Sequence, residues 1–292
     1  MSSINQSEMM TASRNTAVVD ELIEMRGLRF HFRDWPSKRL NAPSLVLLHG
    51  FTGHARSWDP FAKAMTDRYR VLALDQRGHG ETGWAAADRY GTDDMANDLE
   101  SFVQALGLQH FALIGLSMGG LVTIEYAGRD PKELAACVIV DIGPEIDRSG
   151  SSRIQAGLQA VDTFASREEA FAVARADNNR PPEALHRQRS DASLMRIEDG
   201  RWTYRYDRAL RSPGKLRLRD PETAWRSCAN IKVSTQIVRG ELSDILSPQI
   251  AERMVRTIPD ARLVTVANAG HSVPLDAPEG FLAAVREFLS TR

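Results

Sequence analysis

The sequence predicts a doubly wound α/β fold, and three observations lead to that prediction. Four short apolar runs, at 45–48, 71–74, 111–114 and 137–140, each end in a turn-forming or polar segment. Such runs are too short for helices and are typical of strands that are buried on both faces, and hence parallel. Segments of helical period separate the strands, and the same alternation returns after residue 228. We therefore expect a mostly parallel sheet with right-handed crossovers.

Apolar periodicity predicts three helices between these strands. In the segments 57–66 and 93–106, large apolar residues recur every three or four positions and share one face. Asp93 and Asp94 stand near the start of the second segment and Gly107 at its end, as helix start and stop signals. The third helix is predicted at 121–127. The shared faces consist of Trp58, Phe61, Ala62 and Met65, and of Met95, Leu99, Phe102 and Leu106.

The two ends of the chain differ in character. Residues 1–17 are rich in Ser, Asn and Thr and are predicted to form a flexible tail. The stretch 18–33 mixes apolar and charged residues around Gly27, which indicates a two-stranded hairpin. In the last part of the chain the sequence predicts strands and helices in alternation, at 233–238, 248–258, 262–266 and 278–289.

Residues 144–228 interrupt the alternation of strands and helices. This segment has no apolar strand like those before it. It contains amphipathic stretches, a proline pair and a polar region, which together fit an inserted helical cap. We therefore expect a core made of 18–143 and 229–292, with the cap at 144–228. The features of the cap are the stretches 153–164 and 167–175, Pro181 and Pro182, and the region with Trp202 and Tyr204.

Composition indicates an ordinary globular protein and argues against several partners. The 292 residues are 42% hydrophobic and 26% charged, and a net charge of −1 gives no reason to expect nucleic acid as a partner. Two distant cysteines indicate neither a disulfide framework nor a metal motif. No signal peptide and no membrane-spanning run is evident, so we expect a cytoplasmic location and no membrane partner. The oligomeric state stays open.

The segment Gly115-Leu116-Ser117-Met118-Gly119 joins a predicted strand directly to a predicted helix. So abrupt a turn needs small residues beside its pivot, because a Cβ there would meet neighbouring backbone. The pivot side chain stands at the carboxyl edge of the sheet, where α/β sheets bind ligands, and near a helix N-terminus that favours negative charge. The arrangement predicts that Ser117 is a nucleophile on a strand-to-helix elbow.

A serine hydroxyl needs an adjacent base to act as a nucleophile at neutral pH. His271 is the candidate among the seven histidines, because it follows a predicted strand through a short loop. That loop places it on the same edge of the sheet as Ser117. His54 and His79 also lie on edge loops and are weaker competitors.

The base in turn needs a carboxylate that fixes its tautomer and stabilises the imidazolium. Asp244 lies just past a predicted strand and precedes His271, which gives the chain order Ser117, Asp244, His271. We therefore predict Asp244 in this role. Two rivals are Asp141, which closes the strand before the cap, and then Glu241, which shares the loop of Asp244.

Negative charge that develops on a carbonyl oxygen must be met by preorganised donors. The backbone N–H of Met118, directly after the nucleophile, supplies one such donor. The second is expected from the loop after the first parallel strand, where glycines let the backbone approach closely. That loop is His49-Gly50-Phe51-Thr52-Gly53, and the N–H of Phe51 is the candidate.

With these segments the chain resembles the α/β-hydrolase superfamily over essentially all of residues 18–292. The resemblance implies the α/β-hydrolase fold, with a structural turn at 75–80. Members usually have serine where Thr82 stands. It also implies a serine hydrolase that needs no cofactor and no metal. The matching segments are His49-Gly50-Phe51, Asp75-Gln76-Arg77-Gly78-His79-Gly80, Gly115 to Gly120, Arg239-Gly240 to Asp244, and Gly270-His271.

The resemblance also narrows the expected chemistry. Dehalogenases and epoxide hydrolases of this fold carry Asp at the elbow, so Ser117 favours acyl transfer. The cap resembles that of small esterases, lactonases, perhydrolases and C–C hydrolases, but the loop 51–55 lacks the Gly-Pro-Gly-like sequence that C–C hydrolases tend to have. We expect a small-molecule ester or lactone substrate, with Phe51, Trp84 and Trp202 as candidate substrate-binding residues. A C–C bond hydrolase of a ring-cleavage diketone and a ligand-binding protein without turnover stay as alternatives.

Overall fold

The computed structural model describes residues 17–146, 148–212, 216–217 and 219–290. The tail predicted for residues 1–17 lies outside this range except for its last residue. Strands in the described part are β1 (Val19–Met25), β2 (Leu28–Trp35), β3 (Ser44–Leu48), β4 (Arg70–Leu74), β5 (Tyr90–Gly91), β6 (Phe111–Leu116), β7 (Leu134–Val140), β8 (Thr163–Phe164), β9 (Leu194–Arg196), β10 (Trp202–Tyr204), β11 (Leu216–Arg217), β12 (Ser234–Gly240) and β13 (Ala261–Val266).

Helices cover the sheet and build the inserted segment. In the described part they are α1 (Asp59–Met65), α2 (Thr92–Ala105), α3 (Met118–Ala127), α4 (Arg148–Gln159), α5 (Arg167–Asp177), α6 (Glu183–Ala192), α7 (Pro221–Asn230), α8 (Pro248–Thr257), α9 (Val273–Asp276) and α10 (Pro278–Leu289). Short 3-10 helices lie at Ala55–Trp58 and Arg208–Arg211.

One eight-stranded sheet organises the fold, in the order β1-β2-β4-β3-β6-β7-β12-β13. The hairpin β1–β2 is antiparallel and β2 pairs antiparallel with β4, whereas all other neighbours are parallel. The predicted mostly parallel α/β sheet is thereby confirmed. Because parallel strands share their carboxyl edge, the loops after β3, β6, β7, β12 and β13 meet there.

The central strands are apolar throughout because both of their faces are covered. Along β3, Leu45 and Leu47 pack into one core cluster, and Val46 and Leu48 pack into the other. All four side chains are fully buried. Successive side chains of a strand point to opposite faces, so a sheet with helices on both sides requires a continuous apolar run. This is the pattern from which the strands were predicted.

The inserted segment contains α4, α5 and α6 and a small antiparallel sheet in the order β8-β10-β9. The sequence predicts helices here but not this sheet, because its strands are two or three residues long and contain no continuous apolar run. Near the end of the predicted cap, α7 packs against α3 and α8, which belong to the predicted core. The division into core and cap otherwise stays a prediction, and the name cap denotes residues 144–228.

A buried carboxylate, Asp75, holds the turn after β4. It accepts hydrogen bonds from the backbone N–H groups of Ala55 at 2.5 Å and Glu81 at 2.9 Å, and it lies 2.7 Å from Nδ1 of His31. The Thr82 hydroxyl donates to the Asp75 carbonyl oxygen at 2.6 Å. Burial by itself would raise the pKa of Asp75, but its partners lower the pKa to about 2. The turn is therefore held around an ionised carboxylate.

The helices and the cysteines of the described residues indicate neither a membrane-spanning segment nor a reactive thiol. In the described part of the chain, none of the helices combines the length and the apolar character that a membrane crossing requires. Cys137 and Cys228 are free thiols and both are buried. Burial raises the pKa of each thiol to about 12, so both are protonated packing residues.

Candidate active site

Ser117 is the pivot between β6 and α3, and its backbone is strained. Its φ of 53° and ψ of −116° lie outside the regions that L-residues prefer. Close packing explains the glycines around it: a Cβ at Gly119 would lie 2.5 Å from the carbonyl oxygen of Leu48, and one at Gly115 would collide with the carbonyl oxygen of Gly119. The turn presents the half-buried Ser117 side chain at the carboxyl edge of the sheet.

Ser117, His271 and Asp141 form a continuous hydrogen-bonded chain. Oγ of Ser117 lies 2.9 Å from Nε2 of His271, and Nδ1 of His271 lies 2.9 Å from Oδ2 of Asp141. In the neutral imidazole, a proton on Nδ1 is donated to the carboxylate, which leaves Nε2 free to accept the serine proton. The His271 side chain is 31% exposed, whereas Asp141 is fully buried. The serine and the histidine can therefore meet a substrate while the acid is shielded.

Asp141 is fixed at the end of β7 by its neighbours. Its Oδ1 accepts the backbone N–H of Gly240 at 2.9 Å, and its Oδ2 accepts the Ser243 hydroxyl as well as the His271 ring. Its own N–H donates to the Val238 carbonyl oxygen at 2.8 Å. Since β7 lies between β6 and β12, the end of β7 lies between the turn that carries Ser117 and the segment that carries Gly240 and Ser243.

The prediction that Asp244 orients His271 is wrong. Asp244 lies on the loop beyond β12, its side chain is 51% exposed, and it pairs with Arg153 at 3.4 Å. Glu241 is also exposed, and its carboxylate accepts a backbone N–H of the loop after β13. The loop after β12 contributes hydrogen-bond donors to Asp141 instead of the acid itself.

The two predicted oxyanion donors, Phe51 and Met118, flank Ser117. Among the described residues no hydrogen bond uses the backbone N–H of either one. The Phe51 loop comes close to the serine, because a Cβ at Gly50 would lie 3.2 Å from Cβ of Ser117. Nε2 of His79 lies 2.6 Å from the carbonyl oxygen of Phe51 and thereby fixes the loop. Both N–H groups can donate to an oxygen bound beside Ser117.

The competing histidines, His54 and His79, have structural surroundings. Burial lowers the pKa of His54 to about 4, and its Nε2 lies 3.4 Å from the carbonyl oxygen of Arg189. Burial also lowers the pKa of His79, whose two ring nitrogens both contact backbone carbonyl oxygens. Neither ring is hydrogen-bonded to Ser117 in the described structure. The role of His79 in holding Phe51 was not expected from the sequence.

Phe51 begins an aromatic row that leads from the oxyanion loop into the cap. Its ring centroid lies 5.3 Å from that of Tyr206, and the Tyr206 ring stacks with that of Tyr204 at 6.0 Å. Tyr204 and Tyr206 both lie in the polar region of the predicted cap. Two aromatic residues in a polar segment carry no motif that would show which ring faces a site.

The surroundings of Trp84 and Trp202 do not identify them as substrate-binding residues. Trp84 is 51% exposed on the chain after β4. Trp202 lies in β10, packs against the apolar cluster of the cap, and has the Arg167 guanidinium 4.4 Å from its ring centroid. Its surroundings are those of a packing residue. Of the three substrate-binding residues predicted from sequence, Phe51 alone lies beside the serine in this structure.

Asp276 holds the loop that carries His271. Its Oδ2 accepts the backbone N–H of Gly270 at 2.8 Å, and its Oδ1 accepts the side-chain amide of Asn178 at 2.7 Å. Burial raises the pKa of Asp276, and these hydrogen bonds act in the opposite direction. Because Asn178 directly follows α5, one carboxylate connects the histidine loop to the cap. No sequence signal marked Asp276, since its role depends on a contact with a distant segment.

Cavities and possible metal ligands add little to this site. Within the residues that the structure describes, no group of three or more His, Cys, Asp or Glu side chains is arranged to hold a metal ion. A cavity of about 210 Å³ lies beside α3 and the start of α4, and a polar one of about 290 Å³ lies between the Asp75 turn and the cap. Ser117 and His271 line neither of them.

Comparisons with known proteins agree with this fold. The family described as alpha/beta hydrolase fold matches residues 43–278. The chain is 27% identical over 258 residues to the 2-(acetamidomethylene)succinate hydrolase of Mesorhizobium japonicum, covering 85% of this chain and 88% of that protein. It is 30% identical over 264 residues to the sn-1-specific diacylglycerol lipase ABHD11 of Mus musculus, covering 85% and 81%.

A solved structure of an alpha/beta hydrolase also superposes on this chain. The crystal structure of an alpha/beta hydrolase from Novosphingobium aromaticivorans DSM 12444 superposes with a TM-score of 0.81 at 28% identity, covering 94% of this chain and 98% of the other. The family match spans more than half of the chain, and the sheet order and the serine elbow are consistent with it. The chain belongs to the α/β-hydrolase family of hydrolases.

Proposed function

We propose that the protein is a serine hydrolase that cleaves a carboxylic ester or lactone of a small molecule through an acyl-enzyme on Ser117. The observation that carries the proposal is the hydrogen-bonded chain from Ser117 to His271 to Asp141, with 2.9 Å at each link. Contact between nucleophile and base, and between base and orienting acid, is the geometry that acyl transfer requires. The lipase among the relatives supports an ester as the bond that is cleaved.

In the acylation half of the proposed reaction, Oγ of Ser117 attacks the substrate carbonyl carbon and Nε2 of His271 takes the serine proton. The N–H groups of Phe51 and Met118 donate to the oxyanion that forms. The tetrahedral intermediate collapses when His271 gives its proton to the leaving alcohol oxygen, and the acyl group stays bonded to Ser117. In a lactone the alcohol remains tethered to the acyl group.

In the deacylation half, Nε2 of His271 takes a proton from water and the resulting hydroxide adds to the acyl carbon. The second intermediate collapses as Ser117 leaves and regains the proton, and the carboxylic acid is released. Asp141 accepts the Nδ1 proton of His271 throughout, fixes the tautomer and stabilises the imidazolium. Water is the other reactant in this scheme.

The experiment compares the wild type with Ser117→Ala on short-chain p-nitrophenyl esters and on simple lactones. We expect the variant to lose about 10⁴-fold or more in kcat, because the residual rate comes from binding and the oxyanion donors alone. A fluorophosphonate probe should add its mass to the peptide containing Ser117 in the wild type and leave the variant unlabelled.

Equal turnover by wild type and Ser117→Ala would overturn the proposal. A wild type that is neither labelled nor active on any substrate would support a ligand-binding protein without turnover. Cleavage of a vinylogous ring-cleavage diketone, without hydrolysis of esters or lactones, would instead support a C–C bond hydrolase. Thermal unfolding of both proteins checks that the substitution leaves the fold intact.

A further inference from the structure

A guanidinium from the cap stands over the oxyanion loop without a carboxylate partner. Arg189 lies near the end of α6, and its Nη2 donates to the Thr52 hydroxyl at 3.4 Å. Among the described residues this long contact is the one hydrogen bond of the guanidinium, although the guanidinium has five N–H donors. No carboxylate oxygen in the described part of the chain lies within 4.0 Å of it.

Some arginines of the cap have carboxylate partners. Arg153 contacts Asp177 at 2.7 Å, and Arg208 contacts Asp162 at 3.0 Å, although both arginines are well exposed to water. Arg189 is half-buried and has no such partner among the residues that the structure describes. Burial lowers the pKa of the Arg189 guanidinium, and the nearby Tyr204 and Asp276 act in the opposite direction without pairing with it. Partial burial of a cation with few hydrogen-bond partners is costly unless an anion binds there.

Arg189 contacts the loop that also carries a proposed oxyanion donor. Thr52 directly follows Phe51, whose backbone N–H is a proposed oxyanion donor. The carbonyl oxygen of Arg189 is contacted by Nε2 of His54 at 3.4 Å, which ties the end of α6 to the same core loop. An anion held by the guanidinium would therefore lie close to a carbonyl group that is bound at Ser117.

We propose that Arg189 binds a carboxylate of the substrate, so that the preferred ester or lactone carries a second, free carboxylate. This inference rests on the proposed function and names its substrate class. The planar guanidinium fork matches a carboxylate with two parallel hydrogen bonds, which a lysine ammonium cannot reproduce. Arg180 adds positive charge beside the loop that carries His271, because its Nη1 would lie 3.2 Å from a Cβ at Gly270.

The test measures substrate preference with pairs of esters that differ in one carboxylate. Monoethyl esters of succinic, glutaric and adipic acid are compared with ethyl esters of monocarboxylic acids of similar length, and the acetate ester of glycolic acid is compared with propyl acetate. We expect the wild type to prefer the anionic member of at least one pair. In Arg189→Gln this preference, as the ratio of kcat/KM values, should fall about 10- to 100-fold.

Two further variants separate binding from structure. Arg189→Lys keeps the charge but not the fork and should retain part of the preference. Arg187→Gln is the matched control on the same helix, because Arg187 packs over the Phe171 ring at 4.0 Å. We expect the control to keep the preference of the wild type. A loss in Arg187→Gln equal to that in Arg189→Gln would overturn the inference, because the effect would then come from the cap as a whole.

A measurement without turnover distinguishes this inference from the proposed function. The rate at which a fluorophosphonate labels Ser117 is measured with and without glutarate, with glutaramide as the neutral control. Glutarate should slow labelling of the wild type and not of Arg189→Gln. Labelling and hydrolysis of neutral esters, without a preference for anionic substrates or protection by glutarate, would overturn the inference and leave the proposed function standing. Absence of labelling and of all hydrolysis would overturn both.

Discussion

His31 in the core and Arg153 in the cap each contact two carboxylates, but their surroundings differ. His31 is 2% exposed and lies 2.7 Å from Asp75 and 2.9 Å from Asp20. Arg153 is 41% exposed and lies 2.7 Å from Asp177 and 3.4 Å from Asp244. Because buried charges are poorly screened and water competes for exposed ones, the same count of ion pairs predicts very different energies.

Asp141 at the sheet edge and Arg189 in the cap also differ in burial and in the number of their hydrogen bonds. At the sheet edge, Asp141 is buried and has three hydrogen-bond donors around its carboxylate. In the cap, Arg189 is half-buried, and within the described part of the chain its guanidinium has one long hydrogen bond. A fully satisfied group is fixed in place, as proton transfer requires, whereas unused donors can bind a ligand. The two proposals therefore place chemistry at the sheet edge and recognition in the cap.

The largest expected effect separates Asp141 from Asp244. In Asp141→Asn the amide cannot stabilise the His271 imidazolium and favours the wrong tautomer, so kcat should fall about 10³- to 10⁴-fold. Asp244→Asn alters an exposed pair with Arg153, and kcat should stay within about threefold. Ester hydrolysis at saturating substrate measures both, and thermal unfolding checks the fold. An inactive Asp244→Asn beside an active Asp141→Asn would restore the assignment made from sequence.

The next largest effect concerns stability. Replacing His31 with Gln leaves the buried Asp75 carboxylate without its cationic partner, and we expect the free energy of unfolding to fall by about 3 kcal/mol. Urea unfolding of wild type and variant near pH 5 measures this loss. A change below about 1 kcal/mol would show that burial does not strengthen this pair.

The His31–Asp75 pair should also give stability a characteristic pH dependence. Burial alone would lower the pKa of His31, but Asp75 and Asp20 raise it above 6.5. The contribution of His31 is therefore complete below pH 6.5 and is lost as pH rises through the raised pKa. The contribution of Asp75 is present above pH 3.8 and is lost as pH falls toward its pKa of about 2. The stability gap between wild type and His31→Gln should be widest between these limits.

A third, smaller effect tests how the core positions the oxyanion loop. His79→Ala removes the ring that lies 2.6 Å from the Phe51 carbonyl oxygen, and kcat should fall about 10- to 100-fold as the Phe51 N–H loses its alignment. His79→Gln can still donate to that oxygen and should recover part of the rate. His110→Ala, at an exposed loop, is the control. A His79→Ala variant with normal kcat would mean that the loop needs no such support.

The smallest effect is expected at the cap surface. Arg153→Ala removes both of its ion pairs, yet the free energy of unfolding should change by less than about 1 kcal/mol because the pairs are exposed. The kcat for ester hydrolysis should be unchanged. A loss in stability as large as that of His31→Gln would show that the exposed ion pairs of Arg153 contribute as much as the buried pair of His31.

Much of the fold could be predicted because its signals are local. The apolar run of β3 requires burial on both faces, and the glycines around Ser117 leave room for close backbone contacts. The small sheet of the cap could not be predicted, since its strands are too short to show a period. Trp84 and Trp202 were predicted at the substrate because aromatic rings suit a pocket wall. A tryptophan can equally be exposed, as Trp84 is, or packed against other side chains, as Trp202 is, and the sequence does not distinguish these positions.

The sequence by itself determined the type of fold, the position of Ser117 at its elbow and the choice of His271, because each depends on residues close together in the chain. Only the tertiary structure decided between Asp141 and Asp244. Both precede His271, so chain order cannot separate them, whereas the register of β6, β7 and β12 places one beside the imidazole and the other in water. The approach of Arg189 to Thr52 likewise joins segments far apart in sequence. Contacts of this kind depend on the packing of the whole chain.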